Sequence, residues 1–136
     1  MTQEEKELLL VALCGYLSHN IRVKIGDYSD YVIIGCNVKK GIVTVKITND
    51  KARSKIDINC EYVKPYLRSM SSMTEEEQKE FVEFHCVTLC PIIIDTCLTI
   101  ENEGNMLDWL NAHHFDWRGL IPMGLAIEVN DKNNPY

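Results

Sequence analysis

The sequence predicts an α+β domain, with a small twisted antiparallel sheet, an N-terminal helix and two C-terminal helices. Apolar residues near the N-terminus follow helical spacing, and apolar and polar residues then alternate over short runs between residues 21 and 63. Helix-start signals return in the second half of the chain. With 136 residues, 46% of them hydrophobic and 25% charged, the chain resembles one ordinary globular domain. We therefore expect a single domain over residues 1–136.

The first helix is predicted from Thr2 to about Leu17. Thr2 and Glu5 have the spacing of a capping box, in which each side chain bonds the backbone N–H of the other residue. Leucine, alanine and tyrosine then recur at helical spacing as far as Tyr16. The segment His19-Asn20 is expected to end the helix.

Four strands are predicted next, each a short run bounded by Gly, Asp or Asn. They are Ile21–Ile25, Tyr31–Val38, Ile42–Thr48 and Lys55–Val63. In the second run, the residues predicted to share one face are Val32, Ile34, Cys36 and Val38. In the fourth run, the residues predicted to face the core are Ile56, Ile58, Cys60 and Tyr62. Such alternation is typical of an antiparallel meander with one face in water, and a strongly curled version would be an SH3-like half-barrel.

Helices are predicted to dominate the second half. Pro65 is expected to take the chain out of the sheet, because proline cannot donate to a ladder. A helix is predicted from Thr74, with a capping box to Glu77, as far as Pro91. The run Ile92–Ile100 fits either a buried strand or a short helix. A third helix is predicted from about Asn105 to His113, and the tail after residue 130 is expected to fray.

The charge balance disfavours nucleic-acid binding as the main function. The net charge is −6 and the pI is near 5.2, whereas nucleic-acid binders gain affinity by neutralising phosphates. One basic cluster could still form a weak nucleic-acid face over Lys39–Lys55. Its members are Lys39, Lys40, Lys46, Lys51, Arg53 and Lys55. We interpret them first as solvated strand edges, where lysine guards against edge-to-edge pairing.

Features of the chain favour a cytoplasmic protein without a membrane segment, metal or cofactor. No apolar run reaches the ~18 residues that span a bilayer, and the first residues, MTQEEKE, are acidic where a secretory signal is basic. The six cysteines are expected to be reduced and mainly buried. They are Cys14, Cys36, Cys60, Cys86, Cys90 and Cys97. His85 with the last three offers soft ligands, but the spacing is not that of a zinc site.

The segment 108–129 carries the residues that we single out as a candidate binding site. These are Trp109, His113, His114, Phe115, Asp116, Trp117 and Arg118. Tryptophan and arginine are enriched at binding hot spots, and Arg118 has the geometry to fork onto a carboxylate or phosphate. Gly119 suggests a turn with positive φ beside them.

Structural roles are the alternative for each of these residues. His113 and His114 are adjacent, so on a helix they point about 100° apart, and their position fits a helix C-terminus better than a metal site. Arg118 is equally suited to pair with Asp116 or Asp108 and to stack on Trp117. A local cluster of this kind usually fixes a loop.

Functional motifs of common enzyme classes are missing from the sequence. It contains no GxGxxG or GxxxxGK phosphate loop, no GxSxG elbow and no HExxH metal motif. This favours a protein that binds over one that catalyses. The competing hypotheses are a small metal-dependent or hydrolytic enzyme that uses His113, His114 and Asp116, and the nucleic-acid binder described above.

Two strings of residues together resemble a family of proteins. They are KPYLR at 64–68 with SSMTEEE at 71–77, and DWLNAHHFDWRGLI at 108–121 with GLA at 124–126. The pairing resembles small uncharacterised proteins that recur in gut bacterial genomes, in prophages and other mobile elements. The chain departs from that family at 84–98, which is more apolar and Cys-rich, and at Pro122 and Met123, where charged residues are usual. The resemblance implies an accessory protein of phage or mobile-element origin, and it brings no known activity or site.

Overall fold

The computed structural model describes residues 1–48, 55–85 and 107–136, except for the side chains of residues 82–85. It confirms the predicted α+β class: an N-terminal helix lies on a six-stranded sheet, with further helices in the second half. The predictions for Pro91, for Ile92–Ile100 and for three of the cysteines, Cys86, Cys90 and Cys97, lie outside the described residues.

The first helix, α1, spans Gln3–Tyr16, as the sequence predicts. Both halves of the capping box between Thr2 and Glu5 are present. A 3-10 turn, Leu17–His19, follows, and Asn20 ends it with a φ of 54°. The face that α1 buries consists of Leu9, Leu10, Ala12, Leu13 and Tyr16.

The sheet contains six strands in the order β4-β3-β2-β1-β5-β6. Their bounds are β1 Arg22–Ile25, β2 Tyr28–Asn37, β3 Ile42–Ile47, β4 Lys55–Asn59, β5 Val63–Leu67 and β6 Ile127–Glu128. The first five pair antiparallel, but β6 runs parallel to β5, so the prediction of a purely antiparallel sheet is wrong at this edge. The sheet is open between β4 and β6 and does not close into a barrel.

The predicted strand Lys55–Val63 is wrong in its second half. After β4, the Asn59 side chain accepts a hydrogen bond from the backbone of Glu61, and Cys60–Tyr62 forms a 3-10 turn. This side-chain bond competes with the ladder, as asparagine commonly does in turns. Cys60 is buried as expected, but Ile56 is 40% exposed and Tyr62 is 63% exposed.

Pro65 does not take the chain out of the sheet. It lies within β5, opposite Val23 of β1. β5 pairs with β6 only from Tyr66 onwards. The backbone N–H that Pro65 lacks is therefore not needed for pairing with β6. In β2, a bulge between Ile33 and Gly35 shifts the predicted alternation, so that Ile33 and Cys36, and not Val32 and Cys36, pack in the α1 core.

Two apolar clusters hold the described residues together. In the larger, α1 packs on one face of the sheet, against Val23, Ile33, Val43, Val45, Val63 and Leu67. In the smaller, Trp109, Leu110 and Phe115 pack with Met73 and Phe81. The second helix, α2, spans Glu75–His85 and has the predicted capping box between Thr74 and Glu77. Residues 107–112 are helical as predicted, and we call them α3.

Candidate functional site

The backbone after α3 is pinned to the end of β5. His114 has a φ of 63°, which turns the chain at the end of the helix. The N–H of Arg68 donates to the carbonyl of His114 at 2.8 Å, and the N–H of Asp116 donates to the carbonyl of Arg68 at 2.8 Å. Phe115 thereby forms an isolated parallel bridge with Arg68. The segment that carries the candidate residues is therefore fixed at its centre.

Trp109 and Phe115 belong to the interior. Trp109 is 9% exposed, and its indole N–H donates to Glu80 at 3.3 Å. Phe115 is fully buried, with its ring 5.9 Å from that of Trp109. Both residues are in the predicted binding set, but a partner cannot reach the Phe115 ring in this conformation. These two aromatic groups pack the smaller cluster.

Arg68 fastens α2 to this cluster, a role that the sequence does not predict. Its guanidinium lies 4.2 Å from the centre of the Phe115 ring. It also donates to both carboxylate oxygens of Glu77, at 2.8 and 2.7 Å. This bidentate pair lowers the pKa of Glu77 to about 2. Arg68 and Glu77 are nine residues apart, so no local pattern in the sequence indicated that they pair.

The two histidines are bound to different backbone carbonyls. The Nδ1 of His113 lies 2.9 Å from the Trp109 carbonyl, and its ring stacks on Trp109 at 3.9 Å. The Nε2 of His114 lies 2.7 Å from the His19 carbonyl, and its ring stacks on Tyr136. Burial lowers the pKa of His114, which favours the neutral imidazole.

Asp116 fixes the following loop. Its carboxylate is buried and accepts hydrogen bonds from the backbone N–H groups of Leu120 and Ile121, both at 2.8 Å. His113, His114 and Asp116 are thus each bound to a different part of the backbone and do not form one acid-base unit. Within residues 1–48, 55–85 and 107–136, no group of three or more His, Cys, Asp or Glu side chains has the arrangement to hold a metal ion.

Trp117 and Arg118 remain partly exposed. The indole N–H of Trp117 donates to the Asn111 side chain at 2.8 Å, and the partly buried Trp117 side chain packs on the smaller cluster. The guanidinium of Arg118 lies 4.2 Å from the centre of the Trp117 ring. Neither Asp116 nor Asp108 pairs with Arg118, and no other described acid does so.

The turn that follows these two residues carries further exposed apolar surface. Gly119 has a φ of 78°, as the sequence predicts for this turn, and Gly124 has a φ of 75°. Between them, Pro122 is exposed and Met123 is 44% exposed. We call residues 117–124 the Trp117 loop. It brings together an indole, a guanidinium and a thioether at the surface.

The basic residues of the Lys39–Lys55 cluster that the structure describes lie in two places. Lys39 and Lys40 are in the turn between β2 and β3, whereas Lys46 lies opposite Lys55 near the other end of β3. At about 3.3 Å per residue, the two groups are separated by on the order of 15 Å along the strand. Lys51 and Arg53 lie outside the described residues. Lys55 is on the edge strand β4, where a solvated lysine is expected.

Comparison of the chain with models of protein families, with curated proteins and with solved structures gave no significant match. No helix among the described residues is long and apolar enough to cross a membrane.

Proposed function

We propose that the protein is a non-enzymatic binding protein that docks on another protein through the Trp117 loop. The observation that carries this proposal is the stack of Arg118 on the partly exposed Trp117 ring, with no acid of the described residues paired to the guanidinium. The partner is a protein with an apolar pocket edged by carboxylates. Met123 would enter the pocket, the exposed part of the Trp117 ring would pack against its rim, and the carboxylates would pair with Arg118.

The residue types of the Trp117 loop and its preorganised backbone both favour binding. Tryptophan and arginine dominate binding hot spots, because each buries a large area with few rotatable bonds or forms bidentate contacts. The loop is held from beneath by Asp116 and Asn111, so little conformational entropy remains to be lost on binding. A flexible loop with the same residues would bind more weakly.

The family resemblance suggests the biological setting. An accessory protein of phage or mobile-element origin acts on proteins of its host cell or of the phage, in the cytoplasm. The hydrolytic alternative has less support, since His113, His114 and Asp116 are each engaged by a separate backbone group. The nucleic-acid alternative has less support as well, since those of its lysines that the structure describes are divided between the two ends of β3.

Site-specific photocrosslinking in bacterial cells tests the proposal. A photoreactive residue would replace Met123 in the loop, with Met70 as the control, because Met70 is 42% exposed but lies outside the loop. We expect a discrete adduct from position 123 and none of the same mass from position 70. The partner would be identified by mass spectrometry and purified for titration.

Arg118→Glu then distinguishes a specific contact from a chance adduct. We expect this change to weaken binding by roughly 10- to 100-fold, which corresponds to about 1.4–3 kcal/mol. A carboxylate-to-lysine change in the partner should restore much of the loss. Equal adducts from both positions, or an unchanged dissociation constant for Arg118→Glu, would refute the proposal, and so would an adduct with a second copy of this chain.

A further inference from the structure

A cleft of about 430 Å³ lies beside β1 and β5, away from the Trp117 loop. Its lining consists of Lys24, Gly26, Glu61, Tyr62, Lys64, Ile127 and Asn133. Val23 and Ile25 contact the core, so Lys24 between them faces the opposite side of the sheet from α1. Lys64 lies between the buried residues Val63 and Pro65 and faces the same side.

The two lysines are directly opposite one another in the antiparallel pairing of β1 and β5. Side chains in such positions have Cβ atoms about 4.5–5.5 Å apart, and like charges placed there destabilise a sheet. Neither ammonium group has a hydrogen bond or ion pair with any residue in the described ranges. The fold therefore places two lysines on adjacent strands in the lining of one cleft, without an ion pair from those residues.

The acid in the lining does not neutralise this pair. The Glu61 carboxylate is engaged by Lys6 of α1, which also lowers the pKa of Glu61. The cleft consequently keeps its two uncompensated ammonium groups. A dianion between Lys24 and Lys64 would relieve their repulsion.

The rest of the lining fits a flat organic group. Tyr62 is 63% exposed, although Val63, which follows it, is fully buried. Its ring lines the same cleft as the lysines, and exposed aromatic rings are common platforms for nucleobases. Asn133 adds an amide that can donate and accept, and Ile127 adds an apolar wall.

We propose that this cleft binds a small phosphorylated compound with a planar ring, such as a nucleoside monophosphate. The phosphate lies between Lys24 and Lys64, and the ring lies against Tyr62. The cleft volume falls within the range of roughly 300–1,000 Å³ that is usual for small-molecule sites. The proposal does not depend on the Trp117 loop, and the same chemistry is available from a free nucleotide or from a single-stranded nucleic acid.

Calorimetric titration of the full chain at low salt tests the proposal. The probes are AMP, inorganic phosphate, adenosine and a 5′-phosphorylated adenine pentanucleotide. We expect AMP to bind at least tenfold more tightly than phosphate or adenosine, because only AMP engages both the lysines and the ring. Tighter binding of the pentanucleotide than of AMP supports the site with a strand as the source, and weaker binding supports it with a free nucleotide as the source.

Matched variants distinguish binding in the cleft from nonspecific attraction to positive charge on the surface. Lys64→Met and Lys24→Met should each weaken AMP binding at least tenfold, and Tyr62→Ala should reduce it to the level of phosphate alone. Lys46→Met is the control, because Lys46 also lies opposite a lysine, Lys55, but does not line the cleft. Melting temperatures would verify that each variant is folded. Absence of AMP binding at millimolar concentration, or an equal loss in Lys46→Met, would overturn the proposal.

Discussion

Asp116 is of a residue type that is common in catalysis, but in this protein its side chain forms hydrogen bonds with the backbone. Both of its carboxylate oxygens accept N–H groups from the loop that follows. His113 and His114 bind carbonyls one helical turn away and at the end of the first helical segment. These contacts join residues up to 95 positions apart, so the sequence could supply the residue types but not their partners.

Asp116→Asn tests the structural role of the carboxylate. Asparagine offers one acceptor oxygen, so one of the two backbone N–H groups, from Leu120 or Ile121, would lose its partner. We expect a loss of roughly 1–3 kcal/mol in the free energy of unfolding, measured by urea denaturation. Asp108→Asn, on an exposed position of α3, should change the stability little. Equal stability of the two variants would show that Asp116 does not fix the loop.

His114 should make the stability depend on pH. Burial lowers its pKa in the folded protein below the ordinary value of 6.5, so the unfolded chain takes up a proton more readily. The stabilising contribution of the neutral ring is complete above pH 6.5 and is lost as the pH falls through the folded-state pKa. In thermal melts, the wild type should therefore lose more stability than His114→Asn between pH 7 and pH 5.

Asparagine is the suitable replacement because it tolerates the positive φ of this position. The other ionisable groups are common to both proteins, so they cancel in the comparison. The same decline in melting temperature for both proteins would assign the pH dependence to another group.

At the scale of secondary-structure elements, patterns among neighbouring residues were sufficient to predict where the helices begin. They were not sufficient to predict which strands pair at the edge of the sheet. The capping boxes at Thr2 and Thr74 lie within four consecutive residues each, and both helices begin where they predict. The role of β5 depends on distant partners instead. It pairs with β1 about forty residues earlier and with Ile127–Glu128 about sixty residues later, whereas the local signal, Pro65, indicated an exit from the sheet.

The Arg68–Glu77 pair should control how firmly α2 is attached to the end of β5. Glu77→Gln removes the charge and weakens the bidentate contact, and we expect a loss of roughly 1–2 kcal/mol in the free energy of unfolding at pH 7. Because Arg68 lowers the pKa of Glu77 to about 2 from its ordinary 4.5, this advantage of the wild type is complete above pH 4.5. It should disappear as the pH falls from 4.5 to about 2.

Glu76→Gln provides the control for this prediction. Glu76 lies in the same turn of α2, is exposed, and has no hydrogen bond or ion pair within the described part of the chain. Its replacement should have little effect at either pH. A difference between wild type and Glu77→Gln that persists at pH 2 would contradict the assignment.

For the whole molecule, the distribution of charge matters more than the net charge of −6. Five acidic residues lie in the first turns of α1 and α2, where they complement the helix dipoles. Lys24 and Lys64 lie together in a cleft on the outer face of the sheet. The net charge of the whole chain does not reveal this local positive charge. Composition predicted the class of protein, but the location of a basic site required the strand register.

The candidate binding residues in the segment 108–129 likewise lie in two different environments. Trp109 and Phe115 face the interior, whereas Trp117 and Arg118 are partly exposed. The sequence singled out all four because it contains the same residue types that pack cores and that form interfaces. Only the packing of α3 against α2 and β5 separates the two roles.

The most direct measurement of the central claim is acrylamide quenching of tryptophan fluorescence in Trp109→Phe, which retains only Trp117. The account predicts that Trp117 is quenched several-fold more strongly than the single tryptophan of Trp117→Phe, and that the crosslinked partner protects it when bound. Equal quenching of the two tryptophans in the free protein, or no protection of Trp117 by the partner, would contradict the claim that the Trp117 loop is the docking surface.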